Sequence, residues 1–322
     1  MPITTIWERR TLLFACPLAL LTLLLLAGWL RHDPSAIRHP LQVLGLSHEG
    51  DGLEGVLGKE KPAEEDGFTI VTPTYRRLET LPQFLDNYAN GNLSSLRKIV
   101  LLWNDVENDP PPSFLGTLDT YGVPVVLEQR HINSLNQRFH PTEHVKTNCV
   151  FSVDDDMIFK PEDVEYGYQA WRDQNKGRQR MLGFIAREVR RKGQQVIYDQ
   201  PHKEYHMVLT KAAFYHTDWM RGYWADDAVT KSLREYVEEH DNCEDILMSF
   251  LHAHYTRTPP IFVKPEIKID FGGSGGISSR KGHIKGRIAC VKRFNEAFGD
   301  ETLVPTDTIL ERVRPDLWDQ WG

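Results

Sequence analysis

The stretch Asn148-Cys149-Val150-Phe151-Ser152-Val153-Asp154-Asp155-Asp156-Met157-Ile158-Phe159 places three adjacent aspartates between two runs of large apolar residues. Neighbouring carboxylates repel one another, and a carboxylate buried without a partner is costly. A cation bound at this point would remove both costs. The stretch therefore predicts a buried strand that ends at a cation-binding site.

Polar residues also follow the other β-prone runs of the chain. The runs 68–71, 98–103, 123–127 and 149–153 are short and apolar, and apolar residues recur at helical spacing over 78–88. Short buried strands that alternate with helices predict an open α/β sheet. In such sheets ligands bind beyond the carboxyl ends of the strands, so the acidic triplet is expected at a binding site.

Asp154 and Asp156 form an Asp-x-Asp pattern at the end of a strand. Mn²⁺ and Mg²⁺ favour oxygen ligands and commonly take one or two protein carboxylates, with water and substrate phosphates filling the other positions. Such an ion can neutralise a diphosphate leaving group. The alternatives are a solvated acidic loop or a helix N-cap, because Pro161-Glu162-Asp163 begins a predicted helix.

The chain resembles a GT-A glycosyltransferase, and specifically the exostosin-like domain of glycosyltransferase family 64, from about Phe68 to about Gly299. The ordered motifs that carry the resemblance are Thr74-Tyr75-Arg76-Arg77, Val100-Leu101-Leu102-Trp103-Asn104-Asp105, Asn133 with Arg138, Val153-Asp154-Asp155-Asp156, Asn242-Cys243-Glu244-Asp245, and 276–290. The resemblance implies a single α/β catalytic domain with a Rossmann-like mixed sheet flanked by helices. It also implies a Mn²⁺-dependent enzyme that retains the anomeric configuration of its nucleotide-sugar donor.

The resemblance also assigns expected roles to individual residues. It implies that the donor is contacted by Arg77, Asn104, Asn133, Arg138, Asp154 and Asp155, and that its diphosphate is contacted by His283 and Arg287. It implies that Asp156 ligates the metal and that Asp245 is the catalytic carboxylate, as nucleophile or as electrostatic stabiliser. From the residues alone, the acids at the start of the helix near 242–250 could equally cap that helix.

An uncharged apolar run at 12–30 follows Arg9 and Arg10. Its length approaches the ~30 Å of a bilayer core, and the arginines predict a cytosolic N-terminus. The prediction is a type II signal anchor in the Golgi or endoplasmic reticulum, with a tail at 1–11, a stem at 31–66 and a lumenal catalytic domain at 67–322. The alternative is a cleaved signal peptide.

An oxidising lumen permits disulfides. Cys149 lies in an apolar run and is expected in the core, whereas Cys243 and Cys290 lie in polar surroundings and are predicted to pair, a pairing that the resemblance also implies. The sequon Asn92-Leu93-Ser94 would be glycosylatable in that compartment.

Three further features leave alternatives open. For the basic run 280–287, binding of a polyanion is favoured, and a solvated turn is the alternative. The glycine-rich run 272–276 is either a lid or a plain linker. The aromatic residues Trp219, Tyr223 and Trp224 stack on an acceptor sugar or, as is more common for such residues, lie in the core.

The net charge of −7 and the lack of a basic stripe exclude nucleic acid as the expected partner. The expected donor is UDP-N-acetylglucosamine, with UDP-N-acetylgalactosamine or GDP-mannose as alternatives, and the acceptor is a glycan or a glycolipid. A mannosyltransferase of the same family is one alternative function. A catalytically silent, membrane-anchored sugar-binding or scaffold protein is another, although Asp156, Asp245 and Arg287 are all present.

Overall fold

The computed structural model describes residues 53–60, 62–174, 178–272 and 279–313, which belong to one compact unit, Gly50–Gly322. The predicted anchor at 12–30 and the first part of the predicted stem lie outside the described residues. So does most of the glycine-rich run. Among the helices that are described, none combines the length and the apolar character needed to cross a bilayer.

The described chain alternates strands and helices, as the sequence predicts. The strands are β1 (Glu65–Thr74), β2 (Leu96–Trp103), β3 (Val125–Gln129), β4 (Thr147–Val153), β5 (Met157–Phe159), β6 (Leu182–Gly183), β7 (Ala186–Lys192), β8 (Gln195–Asp199), β9 (Met207–Val208), β10 (Ala212–His216), β11 (Ile261–Lys264), β12 (Lys268–Asp270) and β13 (Ile309–Glu311). The helices are α1 (Leu53–Leu57), α2 (Leu81–Ala89), α3 (Pro112–Leu115), α4 (Pro161–Gln174), α5 (Asp218–Tyr223), α6 (Ala228–His240), α7 (Glu244–Thr256) and α8 (His283–Phe298), with 3₁₀ turns at Leu118–Thr120 and Leu135–Phe139.

The main sheet has the strand order β13-β11-β6-β10-β4-β1-β2-β3. Strands β1 to β4 are parallel, whereas β10 runs antiparallel to β4. The chain moves outward from β1 to β3 and then returns to place β4 on the other side of β1. The boundary between β1 and β4 is therefore a topological switch point, where open α/β sheets bind ligands. This mixed sheet with its helices confirms the predicted α/β fold.

The strand register aligns the polar exits that the sequence analysis identified. Thr74 at the end of β1 pairs with Trp103 at the end of β2, which pairs with Gln129 of β3. On the other side of β1, Val71 pairs with Ser152, so β4 also ends at this edge. Residues just beyond these strands consequently meet at one edge of the sheet.

The inner strands are buried because their side chains are apolar on both faces. Cys149 is a buried free thiol in β4, as expected. Trp219 and Tyr223 are fully buried, so the core interpretation is right for both and they cannot stack on an acceptor sugar. Trp224 is partly exposed and lies under the guanidinium of Arg234.

The end of the predicted stem packs on the domain. Leu57 of α1 is buried in the core, and its carbonyl accepts a hydrogen bond from Arg221 at 3.2 Å. The next carbonyl, that of Gly58, accepts one from Arg178 at 2.8 Å. Residues 53–60 are thus held on the domain by core packing and by hydrogen bonds.

A disulfide joins Cys243 to Cys290, as predicted, with their Cα atoms 6.4 Å apart. Cys243 immediately precedes α7 and Cys290 lies within α8. The bridge therefore fixes the start of one helix against the body of the other.

We expect the double variant Cys243→Ser/Cys290→Ser to lose about 2–4 kcal/mol of unfolding free energy, because the bridge closes a loop of 47 residues. Denaturant unfolding with and without reductant measures this. Cys149→Ser is the control, since its stability should remain sensitive to reductant while that of the double variant should not. A double variant as stable as the oxidised parent would contradict the prediction.

Candidate active site

The acidic triplet forms a tight turn between two buried strands. The Met157 amide donates to the Asp154 carbonyl at 3.0 Å, and the Asp154 amide donates to the carbonyl of Lys211 at 3.0 Å. Asp155 and Asp156 are buried, and the side chain of Asp154 is 25% exposed. Helix α4 begins later, at Pro161, so the triplet is neither a solvated loop nor its N-cap.

Arg77 lies three residues after the end of β1, and its side chain contacts two of these acids. Its Nη1 donates to Oδ1 of Asp155 at 2.9 Å and also to Oδ2 of Asp156. In this structure the guanidinium of Arg77 offsets the charge of the buried carboxylates, and its expected contact with the donor stays a prediction.

Arg138 pairs with the third acid, Asp154. It lies in the 3₁₀ turn Leu135–Phe139 and is buried. Its Nη2 donates to Oδ1 of Asp154 at 2.6 Å and lies 3.5 Å from Oε1 of Glu244, while its Nη1 donates to the Thr210 carbonyl at 3.0 Å. Arg138 thus connects the triplet to the acids at the start of α7.

Asp245 forms a buried ion pair with Arg287 of α8. The guanidinium Nη2 lies 2.8 and 2.6 Å from the two carboxylate oxygens, and the amide of Ile246 donates to Oδ1 at 2.8 Å. The Nε of Arg287 donates to the hydroxyl of Tyr198 at 2.9 Å. The predicted catalytic acid and one predicted diphosphate contact are therefore in direct contact.

Asn242 and His283 complete this side of the site. The Nδ2 atom of Asn242 lies 3.5 Å from Nδ1 of His283, and its Oδ1 accepts from Nη1 of Arg287 at 3.4 Å. Between Asn242 and the acids, Cys243 has a φ of 81°, which a residue with a Cβ rarely adopts. The disulfide and the Asp245–Arg287 pair hold this turn in place.

Two other predicted donor residues lie at the same edge of the sheet or near it. Asn104 follows β2, is buried, and its amide donates to the Thr74 carbonyl at 3.0 Å. Its side-chain Oδ1 is buried without a hydrogen-bond partner. Asn133 is exposed, in the loop that precedes the 3₁₀ turn carrying Arg138.

Burial dominates the ionisation of the acids. It raises the pKa of Asp155 to about 6, although Arg77 opposes the shift. Burial and the charge of Asp154 raise the pKa of Asp156 above its usual value. Burial and the neighbouring Asp245 raise the pKa of Glu244 to about 7. These shifts favour the neutral acids unless a further cation arrives.

Asp245 behaves in the opposite way. Burial works against its ionisation, but the pairing with Arg287 holds the pKa of Asp245 below its usual value. Of the two neighbouring acids of α7, Asp245 is therefore the permanent anion, and Glu244 is the one that takes up a proton.

One oxygen on each of two acids of the triplet has no partner. Both Oδ2 of Asp155 and Oδ1 of Asp156 are buried, and neither accepts a hydrogen bond from any residue that the structure describes. Among the described residues, no group of three or more His, Cys, Asp or Glu side chains is arranged to hold a metal ion. A cation here would have to combine one or two carboxylates with ligands from solvent or substrate.

Three residues of the site, Glu244, Tyr198 and Lys211, are not among those expected there from the sequence. Tyr198 lies in β8 and Lys211 just before β10, far from any quoted motif. Of the three, only Glu244 could have been predicted in the site from the sequence, because it is an acid directly beside Asp245. The other two are brought to the site by tertiary packing.

The comparisons with known proteins identify the family of the chain. The family model for the glycosyl transferase family 64 domain matches residues 68–317. The chain is 34% identical over 272 residues to glycosylinositol phosphorylceramide mannosyl transferase 1 of Arabidopsis thaliana, covering 78% of each chain. It is 32% identical over 273 residues to an exostosin-like-3 homolog of Caenorhabditis elegans, covering 82% of this chain and 32% of that protein. Among solved structures, the crystal structure of S. aureus TarS 1-349 overlaps with a TM-score of 0.35 at 16% identity, over 58% of this chain and 55% of that one.

The family match defines the class: the chain carries a glycosyl transferase domain, built on a mixed α/β sheet flanked by helices. Within that class the chain belongs to glycosyl transferase family 64, as the motifs indicate. It spans about a third of the length of the exostosin-like relative and most of the length of the mannosyl transferase.

We expect Glu244→Gln to flatten the dependence of stability on pH between about 5 and 8. The folded protein binds a proton on Glu244 more tightly than the unfolded chain does, because the pKa rises from 4.5 to about 7. The free energy of unfolding therefore falls as pH rises through this range, by about 1–3 kcal/mol from this group. Glu244→Gln should remove the contribution of this group to the pH dependence of the free energy of unfolding. The contribution of Asp155 should remain. Denaturant unfolding at pH 5, 6.5 and 8 measures the slope.

Glu239→Gln, which alters an exposed acid of α6, is the matched control and should leave the slope unchanged. An unchanged slope in Glu244→Gln would show that Glu244 ionises as freely in the folded protein as in the unfolded chain.

Proposed function

We propose that this protein transfers a sugar from a nucleotide-diphosphate donor to a glycan or glycolipid acceptor, with retention of anomeric configuration and with Mn²⁺ or Mg²⁺ as cofactor. The observation that carries the proposal is the buried acidic turn at the switch point of the sheet. Two of its carboxylate oxygens have no partner among the described residues, and two arginines, Arg77 and Arg138, contact the turn.

The chemistry of the acidic turn fits a hard divalent cation. Asp156 offers a buried oxygen that accepts no hydrogen bond, as does Asp155, and oxygen is the donor that Mn²⁺ and Mg²⁺ prefer. Asp156 would hold the ion, with water and the donor phosphates as its other ligands. When bound, the ion neutralises the diphosphate and makes it a better leaving group.

Asp245 acts as an electrostatic stabiliser in this proposal. Both of its oxygens accept hydrogen bonds from Arg287, so an attack on the anomeric carbon would first have to break a buried ion pair. As a permanent anion it can instead stabilise the positive charge that develops at the anomeric carbon. The acceptor hydroxyl then attacks the face that the diphosphate leaves, and its proton passes to a departing phosphate oxygen.

The donor sugar has two candidates. An N-acetylhexosamine, as in UDP-N-acetylglucosamine or UDP-N-acetylgalactosamine, follows from the resemblance to the exostosin-like domain. Mannose from GDP-mannose is the second candidate, favoured because the relative with matched length is named a mannosyl transferase. Release of UDP or GDP from each donor by the purified protein distinguishes the candidates.

The proposed setting is the lumenal side of the Golgi or endoplasmic reticulum membrane, with residues 12–30 as the anchor. The uncharged apolar run and the preceding arginines support it, and the Cys243–Cys290 disulfide suits an oxidising compartment.

We expect Asp156→Asn to weaken the Mn²⁺-dependent binding of nucleoside diphosphate by about tenfold or more, since a carboxamide is a poorer ligand for a hard cation. Calorimetric titration with UDP and GDP, with Mn²⁺ or with chelator, measures it. Asp119→Asn, an exposed acid of a 3₁₀ turn, is the control. Binding by the parent protein that chelator leaves unchanged would refute the metal requirement.

We expect Asp245→Asn to lower kcat by about a hundredfold or more, because it removes the anion closest to the developing charge. The affinity for donor should change much less. Initial rates of sugar transfer, or of donor hydrolysis, over a range of donor concentrations separate the two effects. Asp241→Asn, an exposed neighbour, should keep the parent rate. Full kcat in folded Asp245→Asn would remove Asp245 from the chemistry.

A further inference from the structure

Lys211 lies where the acidic turn meets β10 and β12. Its carbonyl accepts the hydrogen bond of the Asp154 amide at 3.0 Å, which ties its backbone to the triplet. Its Nζ lies 3.1 Å from Oδ2 of Asp270, the last residue of β12. The side chain is 24% exposed, so its ammonium is within reach of solvent and of a bound ligand.

The geometry around Gly272 shows how near Asp270 is to the predicted metal ligand. A Cβ at Gly272 would lie 2.6 Å from Oδ2 of Asp156 and 3.1 Å from Oδ1 of Asp270. The two carboxylates therefore flank the same point, where a Cβ would collide with Asp156 and crowd Asp270. The amide of Phe271 donates to the Asp156 carbonyl at 2.9 Å and holds this part of the chain against the acidic turn.

The electrostatic neighbours of Lys211 agree with this position. Lys211 is close enough to help lower the pKa of His283, whose shift comes mainly from burial and from Arg287. Lys211 therefore lies within electrostatic range of His283 while its ammonium contacts Asp270.

The arginines of the site are already engaged with buried acids. Arg287 pairs with Asp245, Arg138 with Asp154, and Arg77 with Asp155 and Asp156. Parting a buried pair leaves an uncompensated charge, whereas parting an exposed pair costs little. The partner of Lys211, Asp270, is 40% exposed. Of these four cations, Lys211 can turn to a new anion at the lowest cost.

We propose that Lys211 binds the diphosphate of the nucleotide donor, and that Asp270 holds its ammonium at the rim of the site until the donor arrives. The inference rests on the proposed function and names a further donor-binding residue at that site. An ammonium is a point charge that binds phosphate oxygens from many directions, which suits a leaving group that moves during transfer. Asp270 and the diphosphate compete for the same cation.

The test is a calorimetric titration of the purified protein with UDP and with GDP in the presence of Mn²⁺. Lys211→Ala should weaken binding of the nucleoside diphosphate by about tenfold or more. Binding of the matching monophosphate, UMP or GMP, should change less. Lys268→Ala removes an exposed lysine from the same strand as Asp270 and should leave both affinities within about twofold of the parent.

Asp270→Asn distinguishes ligand binding from a structural role. If the ion pair only holds β12, both single variants weaken binding. If Lys211 serves the diphosphate, Asp270→Asn frees it and tightens binding by about two- to fivefold. The double variant Lys211→Ala/Asp270→Asn should then bind no better than Lys211→Ala, because Asp270→Asn increases the affinity only when the Lys211 ammonium is present. A gain that survives in the double variant would show a general charge effect and overturn the proposal.

The two possible failures are separable. If the parent protein binds neither UDP nor GDP, the proposed function itself fails. If the parent binds one of them and folded Lys211→Ala binds it equally well, only the role of Lys211 fails.

Discussion

The fold depends on buried ion pairs between arginines and the acids that follow its central strands. Three adjacent aspartates can end a buried strand here because Arg77 pairs with two of them and Arg138 pairs with the third. Arg138 also approaches Glu244, and Arg287 neutralises the next acid, Asp245. The pairs therefore extend from β1 through the acidic turn to α8. Removing one partner from such a network leaves a buried charge, which is more damaging than losing the pair as a whole.

The network explains how segments far apart in sequence form one site. Parallel pairing brings the ends of β1, β2 and β4 to one edge of the sheet. The disulfide joins the start of α7 to the body of α8, and Arg138 links the start of α7 to the acidic turn at that edge. The arginines neutralise part of the negative charge, but Asp155 and Asp156 each keep a buried oxygen with no partner. The site is thus ready for one more cation, which is the basis for proposing a metal there.

The sequence predicted the parts of the site that depend on local pattern. Apolar runs with polar exits located β1 to β4 to within a few residues, and their alternation with helices predicted the sheet. The acidic triplet and the disulfide pair were identifiable because their chemistry is unusual in its context. The family that the motifs resemble is confirmed, and the roles that it implies for residues such as Arg287 stay predictions.

Contacts between side chains were not predictable in the same way. The sequence analysis assigned Arg77 to the donor, and no local pattern indicates that its guanidinium spans Asp155 and Asp156. Tyr198 and Lys211 were missed because neither lies in a motif, and both reach the site through strands outside the β1–β4 core. Trp219 and Tyr223 could not be assigned to core or surface before their helix was placed.

The central claim is that the acidic turn binds a divalent cation together with a nucleoside diphosphate. Anomalous diffraction from crystals grown with Mn²⁺ and UDP or GDP tests it most directly. We expect a single manganese peak that lies within coordination distance both of Asp156 and of the diphosphate oxygens. A nucleotide bound elsewhere, or a diphosphate held at this edge with no manganese beside Asp156, would contradict it.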